Sequence, residues 1–238
     1  MSSAFPKEYH VIAKKGVFFT GVLCALFMIS CQSLNYRKQT IAEQTRYYEA
    51  YIQYPQFDGY DTVNERIEQI VLVSFDQFKS SAETNWIESN RAHKEMNAMQ
   101  NDDLPPFEYS VIGEQVINNN RYISVLLRTY NFTGGAHGMT TLASVTYDKT
   151  NNTFLTITDI NDFTYEQLAE ICQADLQKQL SGEKAWYADG ASADESNYRI
   201  FTYDGKTLTV YFEPYAVAPY AAGVQQVQIA VPQRGTIN

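Results

Sequence analysis

Apolar and polar positions alternate with a period of two in RYYEAYIQYPQF (46–57), where Tyr48, Ala50, Ile52 and Tyr54 oppose Tyr47, Glu49, Tyr51 and Gln53. That period predicts a half-buried strand, ended by Pro55. The period then lengthens. In DTVNERIEQIVLVSFDQFKSS (61–81), Val63, Ile67, Ile70, Val71, Phe75 and Phe78 recur at helical spacing, and Asp61 or Thr62 can cap the start. Residues 82–106 are polar and read as helical only in their first part, before Pro105 and Pro106.

From Phe107 the pattern is that of strands. FEYSVIGEQVI and RYISVLLRTYNF flank an Asn-Asn-Asn turn, and in the second of them Ile123, Val125 and Leu127 face one side. Tyr122, Ser124, Leu126, Arg128 and Tyr130 face the other. A glycine loop leads into TTLASVTYD, a KTNN turn and NTFLTITDI. FTYEQLAEICQADLQKQLSG reads as a helix with Leu168, Ile171, Cys172, Leu176 and Leu180 on one face and Gly182 past its end. A hairpin about Asp204 and Gly205 and a last strand, VQQVQIAVP, complete the chain. Such runs predict an α+β fold: antiparallel sheets with packed helices, in two closely associated subdomains spanning 46–105 and 106–238.

The ends change the picture. Lys14 and Lys15 precede the apolar run GVFFTGVLCALFMIS, and Cys31 follows it. A basic segment, a short apolar run and a small residue at the cut site predict a signal peptide over 1–30. MISC resembles a lipoprotein lipobox with Met28 in the place of the commoner Leu, so Cys31 is the expected lipidation site and 31–45 a polar tether. The alternative is an uncleaved anchor helix, for which the run is short against the roughly 20 apolar residues of a span. Removing 1–30 leaves 208 residues and moves the net charge from −9 to −11. An acidic chain makes nucleic acid and anionic headgroups poor partners; the charge serves solubility first and suits a cationic partner second. Cys24 lies in the signal and Cys31 carries the lipid, which leaves Cys172 as a small buried hydrophobe with no internal disulfide. With His93 and His137 the only histidines beyond the signal, neither a metal site nor a cofactor is expected.

Candidate chemistry gathers at Gly134, Gly135, Ala136, His137 and Gly138. A general base needs an orienting partner, for which Asp148, Asp159 and Asp162 are available, though at no recognised spacing. The segment is neither a P-loop nor a dinucleotide fingerprint. The structural reading explains more residues: glycines allow positive φ and close approach, and the imidazole satisfies two loop backbone groups. Tyr215 and Tyr220, in YAVAPYAAG, offer either a binding platform or a closure of the core. Trp186 and Tyr187, in an acidic loop, either meet a basic partner or pack onto the helix end.

Three pieces together carry a resemblance: YPQFDGYDTVNERI, then RYISVLLRTYNFTGGAHGMTT running on to VTYDKTNNTFLTITDI, then LTVYFEPYAVAPYAAGVQQVQIAVP. In that order they resemble the extracytoplasmic domain family of the anti-sigma factor RsiV and the N-terminal, non-catalytic domains of the peptidoglycan deacetylase PdaC. The resemblance covers approximately 45–233, with 46–105 PdaC-type and 106–238 RsiV-type. It implies a domain pair of largely unknown function, which in RsiV binds lysozyme. No segment ahead of the apolar run could hold a sigma factor, and no deacetylase domain follows, so neither activity carries over. The expectation is a lipid-anchored envelope protein, at the outer membrane if the cell has one, since Gln32 stands where Asp retains lipoproteins at the inner membrane. It acts as a non-catalytic binding module for a lysozyme-like protein or a cell-wall component such as peptidoglycan. The alternative is an envelope glycan hydrolase using His137 and a nearby carboxylate. A scaffolding role is a third option.

Overall fold

Residues 46–56 extend because their apolar side chains repeat every second position, and in the computed structural model they form β2 (Tyr48–Gln56) with Tyr48, Ala50, Ile52 and Tyr54 buried. The structure describes residues 35–97, 102–181 and 186–232, so the signal, Cys31 and Gly182 lie outside the described residues. The stretch expected to be tether contains a strand, β1 (Arg37–Gln44), paired antiparallel with β2. It lies at the sheet's edge with most side chains exposed, so it has no apolar period to betray it.

α1 (Asp61–Met96) is continuous over 36 residues. Neither Asp61 nor Thr62 caps it; the N-cap is Tyr60, with no side-chain hydrogen bond. Asn64 does the fastening instead, accepting from Phe57 N at 2.8 Å and donating to Phe57 O at 2.9 Å. The polar second half stays helical because three side chains tie it down. Ala82 and Trp86 bury, Trp86 Nε1 donates to Pro105 O at 3.0 Å, and Asn90 accepts from Leu104 N at 2.8 Å.

β3 (Phe107–Asn118) pairs in parallel with β2, α1 being the crossover, and the expected division at 105/106 therefore falls inside one sheet. β4 (Tyr122–Phe132), β5 (Met139–Asp148) and the short β6 (Thr153–Phe154) follow antiparallel, giving the order β1-β2-β3-β4-β5-β6. α2 (Tyr165–Gln179) starts with a capping box between Thr164 and Gln167 and buries Leu168, Cys172 and Leu176. It packs on a second antiparallel sheet of β7 (Phe201–Tyr203), β8 (Thr207–Phe212) and β9 (Gln225–Ala230). Among the described residues, two α-helices and two sheets dominated by antiparallel pairs make the fold α+β.

β4 belongs to both cores. Ile123, Val125 and Leu127 pack under α1, while Tyr122 joins the α2 cluster and Leu126 meets Tyr211 of β8. Ser124 is the polar exception on that second face. Its fully buried hydroxyl lies 2.7 Å from Thr146 Oγ1 and accepts from Tyr203 N at 3.1 Å, stitching β7 across the first sheet. Ser124→Ala leaves a buried N–H and a buried hydroxyl short of a partner, so about 1–3 kcal/mol of stability should be lost in urea denaturation. A loss under about 0.5 kcal/mol, the ordinary surface scatter, contradicts the stitch.

Candidate functional site

The glycine loop joins β4 to β5 and turns with Gly134 and Gly135 both at φ +95. At Gly138 a Cβ would stand 2.4 Å from the Tyr130 ring, which is why the chain can pass so close there. The loop's imidazole is exposed. Its ring stacks on Tyr220 at 3.8 Å between centroids and 16° between planes. His137 Nδ1 lies 3.0 Å from Gly138 O, which can only accept, so this nitrogen carries the proton. Nε2 is then left 3.4 Å from the Tyr215 hydroxyl. Tyr220 OH donates to the same Gly138 O at 2.7 Å. The sequence reading expected two backbone groups for the imidazole; it meets one, and its other neighbours are aromatic side chains because the β8–β9 connection folds over the loop.

Tyr215 is 49% exposed and holds φ +72, a conformation bulky residues seldom adopt. His137, Tyr215 and Tyr220 thus form one aromatic tip. Ala136 is exposed beside them. Trp186 stands apart, half-buried against the α2 core, and Tyr187 is exposed while its backbone N–H donates to Val217 O at 2.9 Å. Burial pushes the Cys172 thiol up to about 12, which removes its nucleophilic character at neutral pH.

The three carboxylates named beside His137 are elsewhere. β4 and β5 pair from Tyr122 opposite Asp148 at one end to Asn131 opposite Met139 at the other. Nine strand rises separate these ends by roughly 30 Å. The tip caps one end; Asp148, Asp159 and Asp162 line a cleft of about 980 Å³ at the other. Four turns build this cleft: those between β3 and β4, β5 and β6, and β7 and β8, and the 155–162 segment. Asp148, 2% exposed, faces Arg121 at 3.1 Å and accepts from Thr150 N at 2.8 Å and Asn151 N at 3.2 Å. Asp159 accepts from Thr156 N at 2.7 Å. Among the described residues no group of three His, Cys, Asp or Glu side chains converges as a metal site would need. Periodicity could not find the cleft, since it is made of turns. The signal available was asparagine recurring in three of them, at 118–120, 151–152 and 161.

Residues 41–140 match the family described as deacetylase PdaC, and residues 157–231 match the protein of unknown function DUF3298. The two matches follow one another along the chain, and the first runs well past residue 105. It is 29% identical over 112 residues to the peptidoglycan-N-acetylmuramic acid deacetylase PdaC of Bacillus subtilis, 45% of this chain and 24% of that protein. It is 28% identical over 109 residues to the immunogenic protein MPT64 of Mycobacterium tuberculosis, 44% of this chain and 47% of that one. The chain spans less than half the length of these curated relatives. A solved DUF3298 family member from Bacteroides fragilis has the same fold, with a TM-score of 0.58 at 15% identity over 82% of this chain and 90% of that one. The coarse reading that goes with these matches is an extracytoplasmic, cell-wall-related protein. No helix among the described residues is long and apolar enough to cross a membrane.

Burial pushes the Asp148 carboxyl up, but hydrogen bonds from Arg121 and from the N–H groups of Thr150 and Asn151 outweigh it, leaving the carboxyl below its usual range. A depressed folded pKa contributes stability above the unfolded value of about 4, and that stability is lost as pH falls through the folded value. Melting temperature should therefore drop as the pH is lowered below about 4. Asp148→Asn should melt lower near neutrality and show a shallower acid limb; an acid limb as steep as the parent's contradicts this assignment.

Proposed function

We propose that the chain is a lipid-anchored module of the cell envelope that binds a cell-wall component without transforming it. The observation that carries this is the separation of His137 from Asp148, Asp159 and Asp162 by the length of the β4–β5 ribbon. A general base works only within hydrogen-bond reach of its partners, about 3 Å, and the imidazole's neighbours are two phenols and a carbonyl. This separation weighs against a hydrolase built on His137 with Asp148, Asp159 or Asp162. The name of the deacetylase relative supports peptidoglycan as the ligand class. Anchoring through Cys31 fits the fold as well. Asn35, the first described residue, is hydrogen-bonded to Asn118 at the cleft end, accepting from its Nδ2 at 2.6 Å, so the tip lies at the far end of the ribbon from the point where the chain enters.

The full chain in detergent should be retained on purified peptidoglycan sacculi, and retention should survive His137→Ala, which removes only a surface stack of about 0.5–1.5 kcal/mol. No retention, or capture by immobilised lysozyme with none by sacculi, overturns the cell-wall ligand. Release of soluble glycan that His137→Ala abolishes overturns the non-catalytic reading.

A further inference from the structure

Most of the cleft's charges are already engaged by the protein. Arg121 and Asp148 pair, the Asp204 carboxylate accepts from Lys206 N at 2.7 Å and Thr207 N at 2.6 Å, and Asp159 is held by Thr156. Against four aspartates the lining sets only Arg121 and Lys206, which disfavours a polyanion, and the engaged carboxylates offer little to a cation. Apart from the Lys206 ammonium, what remains open is neutral. Among the described residues the side-chain amides of Asn120 and Asn161 have no protein partner, and each amide both donates and accepts. Phe154, 38% exposed, lines the same cleft, its ring steadied by an edge contact with Tyr147 at 5.1 Å. A volume of about 980 Å³ is at the top of the usual range for ligand sites, roughly 300–1,000 Å³.

Amide donors and acceptors in one cleft with an apolar ring match a ligand with hydroxyl and acetamido groups on one edge and a flat C–H face. We propose that the cleft binds an uncharged N-acetylated oligosaccharide, one sugar ring lying on Phe154 and its polar groups on Asn120 and Asn161. This rests on the binding reading above and gives it a place and a ligand class.

Calorimetry of the full chain in detergent with chitotetraose should show saturable binding that is unchanged between low and high salt, because no ion pair forms. Phe154→Ala and Asn161→Gly, the latter keeping the left-handed backbone at φ +55, should each weaken it about fivefold or more. Tyr220→Ala at the tip should leave it unchanged. Amide exchange of the parent chain, which needs no variant, should slow on sugar addition around 119–122 and 153–162. Absence of binding, equal affinity in the cleft variants, slowed exchange at the tip, or affinity that salt abolishes overturns the proposal. Undiminished sacculus retention by Phe154→Ala overturns the cleft alone and leaves the binding reading standing.

Discussion

β4 must be apolar on both faces, and everything else in the molecule is arranged around that requirement. A strand with one wet face could support only one core. Here Ile123, Val125 and Leu127 serve the α1 side while Tyr122 and Leu126 serve the other, and six consecutive residues from Tyr122 are buried. The Ser124 hydroxyl in that run is tolerated because Thr146 and the Tyr203 N–H meet it. Sharing a wall makes the ribbon of β4 and β5 a fixed spacer. The two surfaces at its ends cannot approach each other, and the chemistry open to His137 is set by that distance more than by the residue itself.

Much of this was legible in the chain. The two-faced pattern of RYISVLL gave β4 its sides, the alternation in 46–57 gave β2, and the apolar face of Leu168, Cys172 and Leu176 gave α2. What stayed hidden was long-range. β1 is an edge strand whose polar side chains carry no period, and its pairing with β2 is a backbone matter. The second half of α1 looks like solvated helix or loop, yet Trp86 and Asn90 clamp it to residues 103–105, hydrogen bonds that no local spacing announces. The parallel pairing of β2 with β3 erases the boundary that a change of pattern at Phe107 suggests.

The site was legible in pieces. The glycine loop and the YAVAPYAAG segment each stood out, but their meeting as a His137–Tyr215–Tyr220 stack across about 80 residues of sequence depends on where the second sheet docks. The imidazole stacks at the surface and meets one backbone group instead of two, because the connection laid over it brings rings. The cleft was invisible for a different reason: four turns contribute to it and none has a motif of its own. Its carboxylates, which looked like candidates for chemistry, are spent on holding turns and on Arg121.

If β4 is the common wall, the two cores cannot open independently. Native-state hydrogen exchange followed through increasing urea tests this directly, with the buried faces of α1 and α2 as reporters on either side of β4. The shared wall requires the slowest amides of α1, α2 and β4 to merge into one opening with a single free energy and a single urea dependence. If α2 and the β7–β9 sheet exchange through a separate, lower-energy opening while β4 stays protected, the two surfaces are not ends of one rigid body.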